Sequence, residues 1–217
     1  MSVMPGDRPQ GWFADILLER SAREARSAAL ALLADGVPVR SIYLDVLAPG
    51  LVEVGDRWQH GVISVAQEHL ASATVASILG SLAPRLGERP SNGFEVVLAC
   101  TDTELHAIGL RMVADFLEAD GYGIVYLGGL TPGAELVEIV SRRHPAAVCL
   151  STTLVSQLES ARAAIASLRR VQRPPFILVG GRAYAGDAVL ARSLGADAFA
   201  ADAGQASPIL EAALTGR

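Results

Sequence analysis

The apolar residues change their period once along this chain, and that change limits the fold more than any single motif. From residue 12 to 86 they recur at spacings of three and four, the mark of helices that bury one face. Beyond Gly87-Glu88-Arg89-Pro90-Ser91-Asn92-Gly93 they gather into short β-runs separated by helical stretches. The first pattern predicts helix packed on helix, and the second predicts layers of helix on a parallel sheet.

In the first half, Trp12, Ile16, Leu17, Ala25, Ala28, Ala29, Leu32 and Leu33 trace one helical stripe, stopped by Asp35-Gly36. A second segment from Pro38 carries Ile42, Tyr43, Val46 and Leu47 until Pro49-Gly50 interrupts it. A third runs through Leu51, Val54 and Trp58 to Gly61. Ser64-Val65-Ala66-Gln67 reads as a capping box that opens a fourth helix over 65–86. Four short-looped helices predict a bundle over residues 1–88.

In the second half, strands are expected at 94–100, 123–127, 147–151, 176–179 and 198–200. Helices are expected near 107–120, 132–143, 155–170, 187–194 and 206–214, with Thr131 capping a helix that starts at Pro132. Each strand is followed by a helix, and parallel strands need such crossovers. The fold class is therefore α/β: an N-terminal four-helix bundle, then a flavodoxin/Rossmann-like, doubly wound, five-stranded parallel sheet over 93–217.

The 217 residues are 51% hydrophobic, enough apolar material for full cores, and the net charge is −5. Every basic residue is Arg, which excludes a phosphate-gripping lysine of the Walker type and any Schiff-base lysine in this sequence. Neither half is basic, and the arginines of 20–26 and 169–173 read as solvated helix faces, so direct nucleic-acid binding is not expected. Cys100 and Cys149 each sit in an apolar run and read as buried free thiols of a reducing compartment. No signal peptide or membrane span is evident, which predicts a cytoplasmic protein.

The polar exceptions fall just past strand ends. After the first strand come Thr101-Asp102-Thr103-Glu104-Leu105-His106-Ala107-Ile108-Gly109, after the third Ser151-Thr152-Thr153-Leu154, and after the fourth Gly180-Gly181-Arg182. Ligands of open α/β sheets bind beyond the carboxyl ends of the strands, where the strand order reverses. A histidine at a helix start favours neutral imidazole, the form that binds metal, and a carboxylate two residues earlier can fix its tautomer. Gly109 would let a bulky ligand approach the backbone. The plainer reading makes His106 a loop histidine, Gly109 a packing glycine and Asp102 a loop cap. One histidine without a Cys pair is a poor zinc site, so a metal here should arrive already chelated by a large organic ligand.

With those three blocks in place, the second half resembles the cobalamin-binding Rossmann-like domain of methionine synthase, the mutases and related regulators. Their pattern of Asp-x-His-x-x-Gly, Ser-x-Leu or Ser-x-Thr, and Gly-Gly appears here as Glu104 to Gly109, Ser151 to Thr153, and Gly180-Gly181, with Glu replacing the commoner Asp. The resemblance implies that His106 is the lower axial cobalt ligand. Leu105, Ala107 and Ile108 would flank it, and the displaced nucleotide tail would lie near Ser151, Thr153, Leu154, Gly180, Gly181 and Arg182.

The helical half resembles the cap of methionine synthase and of MerR-type, cobalamin-dependent light-sensing regulators. Trp58 is followed after nine residues by Glu68-His69, the signature of the photoreceptor branch. This implies that Trp58, Val65, Glu68 and His69 line the upper face, beside the adenosyl group of adenosylcobalamin. Gln59 stands where some light sensors carry a second cobalt-binding histidine; His60 and His144 read as surface residues. Only about eleven residues precede Trp12, so a MerR-like DNA-binding module is expected to be absent, with output through a separate DNA-binding regulator or signalling protein. Homo-oligomers through Ala-rich helix faces are compatible with the pattern. No nucleophile–base constellation is seen, so catalysis on an external substrate is not expected. A corrinoid methyl carrier and a cofactor-free interaction module are the competing readings.

Overall fold

The computed structural model describes residues 11–216. Residues 1–10, on which the expectation about a preceding DNA-binding module turned, lie outside the described residues. Contacts divide the chain into two compact units, with the division between Gly87 and Glu88.

The first unit is helical. It holds α1 (Trp12–Glu19), α2 (Ala22–Ala34), α3 (Val39–Ser41), α4 (Ala48–Gln59) and α5 (Val65–Leu82). Phe13, Leu17, Leu32, Tyr43, Leu47, Val54, Ile78 and Leu82 are buried, and the Tyr43 hydroxyl donates to the Leu79 carbonyl at 3.2 Å. Gly50 permits a close crossing, because a Cβ there would sit 3.2 Å from the Phe13 ring.

Two expected boundaries are corrected. The stripe over residues 12–33 breaks at Arg20, because Ser21 and Glu24 form a capping box that starts α2 afresh. Conversely, Pro49-Gly50 does not interrupt the next segment, since helix continues from Val39 to Gln59. Residues Ile42–Leu47 form a π-helical stretch between α3 and α4, closed by the Ala48 N–H on the Tyr43 carbonyl. Pro49 brings no N–H, and the wide turn before it lets its ring enter as it would at a fresh helix start. The Ser64–Gln67 capping box forms as expected, and a 3₁₀ turn, Ala83–Arg85, follows α5.

The second unit alternates β1 (Glu95–Cys100), α6 (Ile108–Ala119), β2 (Gly123–Gly128), α7 (Gly133–Arg143), β3 (Ala147–Ser151), α8 (Leu158–Leu168), β4 (Phe176–Gly180), α9 (Ala188–Ser193), β5 (Ala198–Ala200) and α10 (Ala203–Thr215). The strands are all parallel in the order β2-β1-β3-β4-β5, the doubly wound sheet expected. Alternation along β1 sends Val96, Leu98 and Cys100 toward α6 and α10, and Val97 and Ala99 toward α7, α8 and α9. Both cysteines are buried free thiols. Thr131 does not cap α7: Pro132 takes that position, and the Thr131 hydroxyl turns back to the Gly128 carbonyl at 3.4 Å. The last helix starts earlier than expected, because the Asp202 carboxylate caps it by accepting the Gln205 N–H at 3.1 Å. Among the described residues, no helix is long and apolar enough to cross a membrane.

Candidate corrinoid site

Ser151 pairs with Cys100 on one side and Gly180 on the other, so β1, β3 and β4 end level. The Thr101 N–H donates to the Ser151 carbonyl and the Thr152 N–H to the Gly180 carbonyl, each at 3.0 Å. All three polar blocks therefore leave the sheet side by side at its carboxyl edge, where the strand order reverses between β1 and β3.

At the centre is Glu104, wholly buried. Its Oε1 accepts the His106 backbone N–H at 2.9 Å and also takes the His106 ring nitrogen Nδ1; its Oε2 accepts the Thr153 N–H at 2.7 Å. Burial by itself would raise this carboxyl. The His106 ring, the His106 N–H and the Thr153 N–H outweigh it and hold the group down at about 2. An ionised Glu104 accepts a hydrogen bond from Nδ1–H, which keeps the proton on Nδ1 and leaves Nε2 as the ring nitrogen with the lone pair. The His106 side chain is 43% exposed and stands just ahead of the N-cap Ala107 of α6.

The glycines of the site have different physical reasons. Gly181 has φ +108°, and a Cβ there would lie 2.2 Å from the Thr152 carbonyl oxygen; at Gly180 it would lie 3.1 Å from that of Ala200. These two are demanded by the packing of neighbouring chain segments. Gly109 is not: a Cβ at this position would meet nothing within 4 Å. In the first turn of α6, glycine weakens a helix, and here the position is exposed and faces open space.

Leu105, Leu154, Leu130 and Val155 are exposed apolar side chains in the loops that follow β1, β3 and β2. Ser151 and Thr153 are half-buried, and Arg182 is exposed at the start of a 3₁₀ turn. The pattern of side chains missed the end of β2. There the Tyr126 hydroxyl donates to the Ala107 carbonyl at 3.1 Å, and the Leu130 N–H donates to the Glu104 carbonyl at 2.9 Å. The Gly128-Gly129 pair that follows Tyr126 was the available signal.

In the helical unit, Trp58 lies in the last turn of α4 with 42% exposure, and Glu68 lies in the first turn of α5, accepting the Ser72 hydroxyl at 2.7 Å. His69 is 74% exposed, with Nε2 3.7 Å from the Glu68 carboxylate, and Val65 is exposed beside it. A left-handed Gly61 and the Val62 N–H on the Arg57 carbonyl turn the chain between the two helices. His60 and His144 are on the surface, His60 with Nδ1 2.7 Å from the Asp56 carbonyl oxygen and His144 as the left-handed C-cap of α7.

The donor set fits a metal that comes already ringed by other ligands. Among the described residues no three His, Cys, Asp or Glu side chains gather to hold a bare ion. A single imidazole of fixed tautomer, in loops that also carry exposed apolar side chains, has the chemistry to bind such a pre-chelated metal.

Such a site defines a corrinoid-binding protein. Models of the B12 binding domain match residues 94–211 and, separately, residues 13–83, and the chain belongs to the B12 binding domain family. It is 37% identical over 150 residues to the HTH-type transcriptional repressor CarH of Myxococcus xanthus, covering 68% of this chain and 49% of that protein. It is 33% identical over 99 residues to the monomethylamine corrinoid protein 1 of Methanosarcina barkeri, covering 44% of this chain and 46% of that one. Both matches span about half the length of the relative. The solved structure of the Methanosarcina barkeri monomethylamine corrinoid protein superposes with a TM-score of 0.81, over 93% of this chain and 96% of that one, at 22% identity. That last likeness is one of fold.

Proposed function

We propose that the chain is a cobalamin-binding regulatory module that senses light through adenosylcobalamin and passes the signal to a partner transcription regulator. The observation that supports this reading most is the buried Glu104 against His106 Nδ1, a pair that would present Nε2 to cobalt, with Trp58 and Glu68 on either side of one turn of the helical unit. Adenosylcobalamin, when bound, supplies a cobalt–carbon bond that visible light breaks. His106 would hold the cobalt through Nε2. Trp58 offers a flat apolar face for a nucleoside, and Glu68 accepts hydrogen bonds from its ribose or base. A nucleoside held by both residues in one state and not in another would bias the helical unit or the oligomeric state, which would be the output. The similarity to CarH supports this reading, since it extends over 150 residues of the chain.

A second reading, a corrinoid methyl carrier of a methyltransferase system, is favoured by the similarity to the monomethylamine corrinoid proteins. One experiment separates the two. The chain is purified in the dark with adenosylcobalamin or methylcobalamin, and absorption spectra and size are recorded before and after green light. A spectral change coupled to a change in size with the adenosyl form, abolished in His106→Ala, is the expected result. Preference for the methyl form, with an adenosyl form indifferent to light, would establish the carrier instead.

A further inference from the structure

The segment that carries His106 is anchored from both neighbouring strands. From the loop after β3, the Thr153 N–H reaches the Glu104 carboxylate; this secures the Nδ1 edge of the ring. The backbone on the far side of His106 has a different anchor. The Ala107 carbonyl accepts the Arg111 N–H at 2.9 Å as α6 begins, and it also accepts the Tyr126 hydroxyl at 3.1 Å.

Several features converge on placing that hydroxyl. The β1–β2 register runs Leu98 to Tyr126 and then Ala99 to Gly128, so Leu127 is an extra residue directly after the tyrosine. Bulges of this kind redirect a neighbouring side chain and recur beside binding sites. Gly128, at φ +73°, closes on the tyrosine ring so tightly that a Cβ would lie 3.2 Å from it. The Arg111 guanidinium lies 5.4 Å from the ring centroid and pairs with the buried Asp115 at 2.5 Å. Gly129 abuts the same loop, since a Cβ there would come within 2.9 Å of the Glu104 carbonyl oxygen. Leu130 adopts φ +54°, rare for a branched side chain, and its N–H meets that oxygen.

We propose that Tyr126 is a positioning residue for His106: by fixing the Ala107 carbonyl, it sets how firmly the imidazole holds a corrin's cobalt. The assignment rests on the reading of His106 as the axial ligand. Tyr126→Phe keeps the ring that Gly128 and Arg111 pack against and removes only the hydroxyl.

The test loads protein labelled with ¹⁵N-histidine with cob(II)alamin and reads the electron paramagnetic resonance. A protein imidazole on cobalt then gives a two-line nitrogen splitting, whereas the cofactor's own base gives three lines. In Tyr126→Phe the two-line fraction is expected to fall and the cobalamin Kd to rise by about fivefold, the size of one hydrogen bond. Thermal unfolding should stay cooperative. Amide exchange of the cofactor-free protein over residues 105–108 should also quicken. Gly129→Ala, which crowds the Glu104 carbonyl, should move the same readouts in the same direction, so the proposal does not depend on one variant folding. Wild-type splitting and Kd in both variants would overturn the assignment. If His106→Ala keeps the wild-type signal, the axial ligation itself fails and the role of Tyr126 falls with it; loss of the signal there and none in Tyr126→Phe overturns the role of Tyr126 alone.

Discussion

A carboxylate as deeply buried as that of Glu104 stays ionised because three donors face it. Its folded-state value of about 2 lies below the ordinary value of about 4.3 for an unfolded glutamate. The stability it contributes is therefore fully present above about pH 4.5 and is lost as the pH falls toward about 2, on the order of 2–3 kcal/mol in all. Urea unfolding across pH 7 to 2.5 should show this loss in the wild type, while Glu104→Gln is less stable at pH 7 by roughly 2 kcal/mol and flatter with pH. Parallel curves for the two proteins would show that the carboxylate is not held as described. At this scale the Glu104–His106 pair was legible, since two side chains two residues apart carry their own pattern. The third donor was not: the Thr153 amide is 49 positions away and backbone groups leave no mark in composition. The tie from Tyr126 to Ala107 was invisible for the same reason, because its acceptor is a carbonyl.

Between elements, the glycines separate what the fold requires from what it leaves open. Gly181 lets the turn after β4 lie against the Thr152 backbone, whereas Gly109 faces space at the start of α6. Gly181→Ala should cost at least about 2–3 kcal/mol, through a left-handed φ and a steric clash together. Gly109→Ala should leave the cofactor-free protein as stable or more so, by up to about 1 kcal/mol, and yet impair cobalamin uptake. Thermal melts and equilibrium binding of both variants check the pair; a Gly109→Ala protein that takes up cobalamin normally would remove the glycine from the site. The strands and most helices were readable from alternation and caps, to within a few residues. The helix breaks were misplaced where local chemistry competes with the hydrophobic stripe. A Ser21–Glu24 capping box restarts a helix inside a continuous apolar face, and a π-turn carries a helix through Pro49.

At the scale of the whole chain, the single change of hydrophobic period coincides with the division between Gly87 and Glu88. Residues after it already belong with the sheet: the Arg89 N–H donates to the Ala119 carbonyl and the Asn92 N–H to that of Gly121, each at 2.9 Å. Both sheet faces are covered by helices of the same unit. We propose that a domain boundary falls at this division and expect residues 88–217 expressed alone to fold. The fragment should show mixed α/β circular dichroism and one cooperative thermal transition. A fragment without a cooperative transition would mean that the sheet unit needs the helices before it.

The π-turn at Ile42–Leu47 has a consequence eleven residues downstream of its end. Each extra residue accommodated in a helix turns everything after it by about 100° relative to an uninterrupted α-helix. The wide turn thus acts as an angular offset, and the compass bearing of the indole at Trp58 is set at Tyr43, well before the residues that surround it.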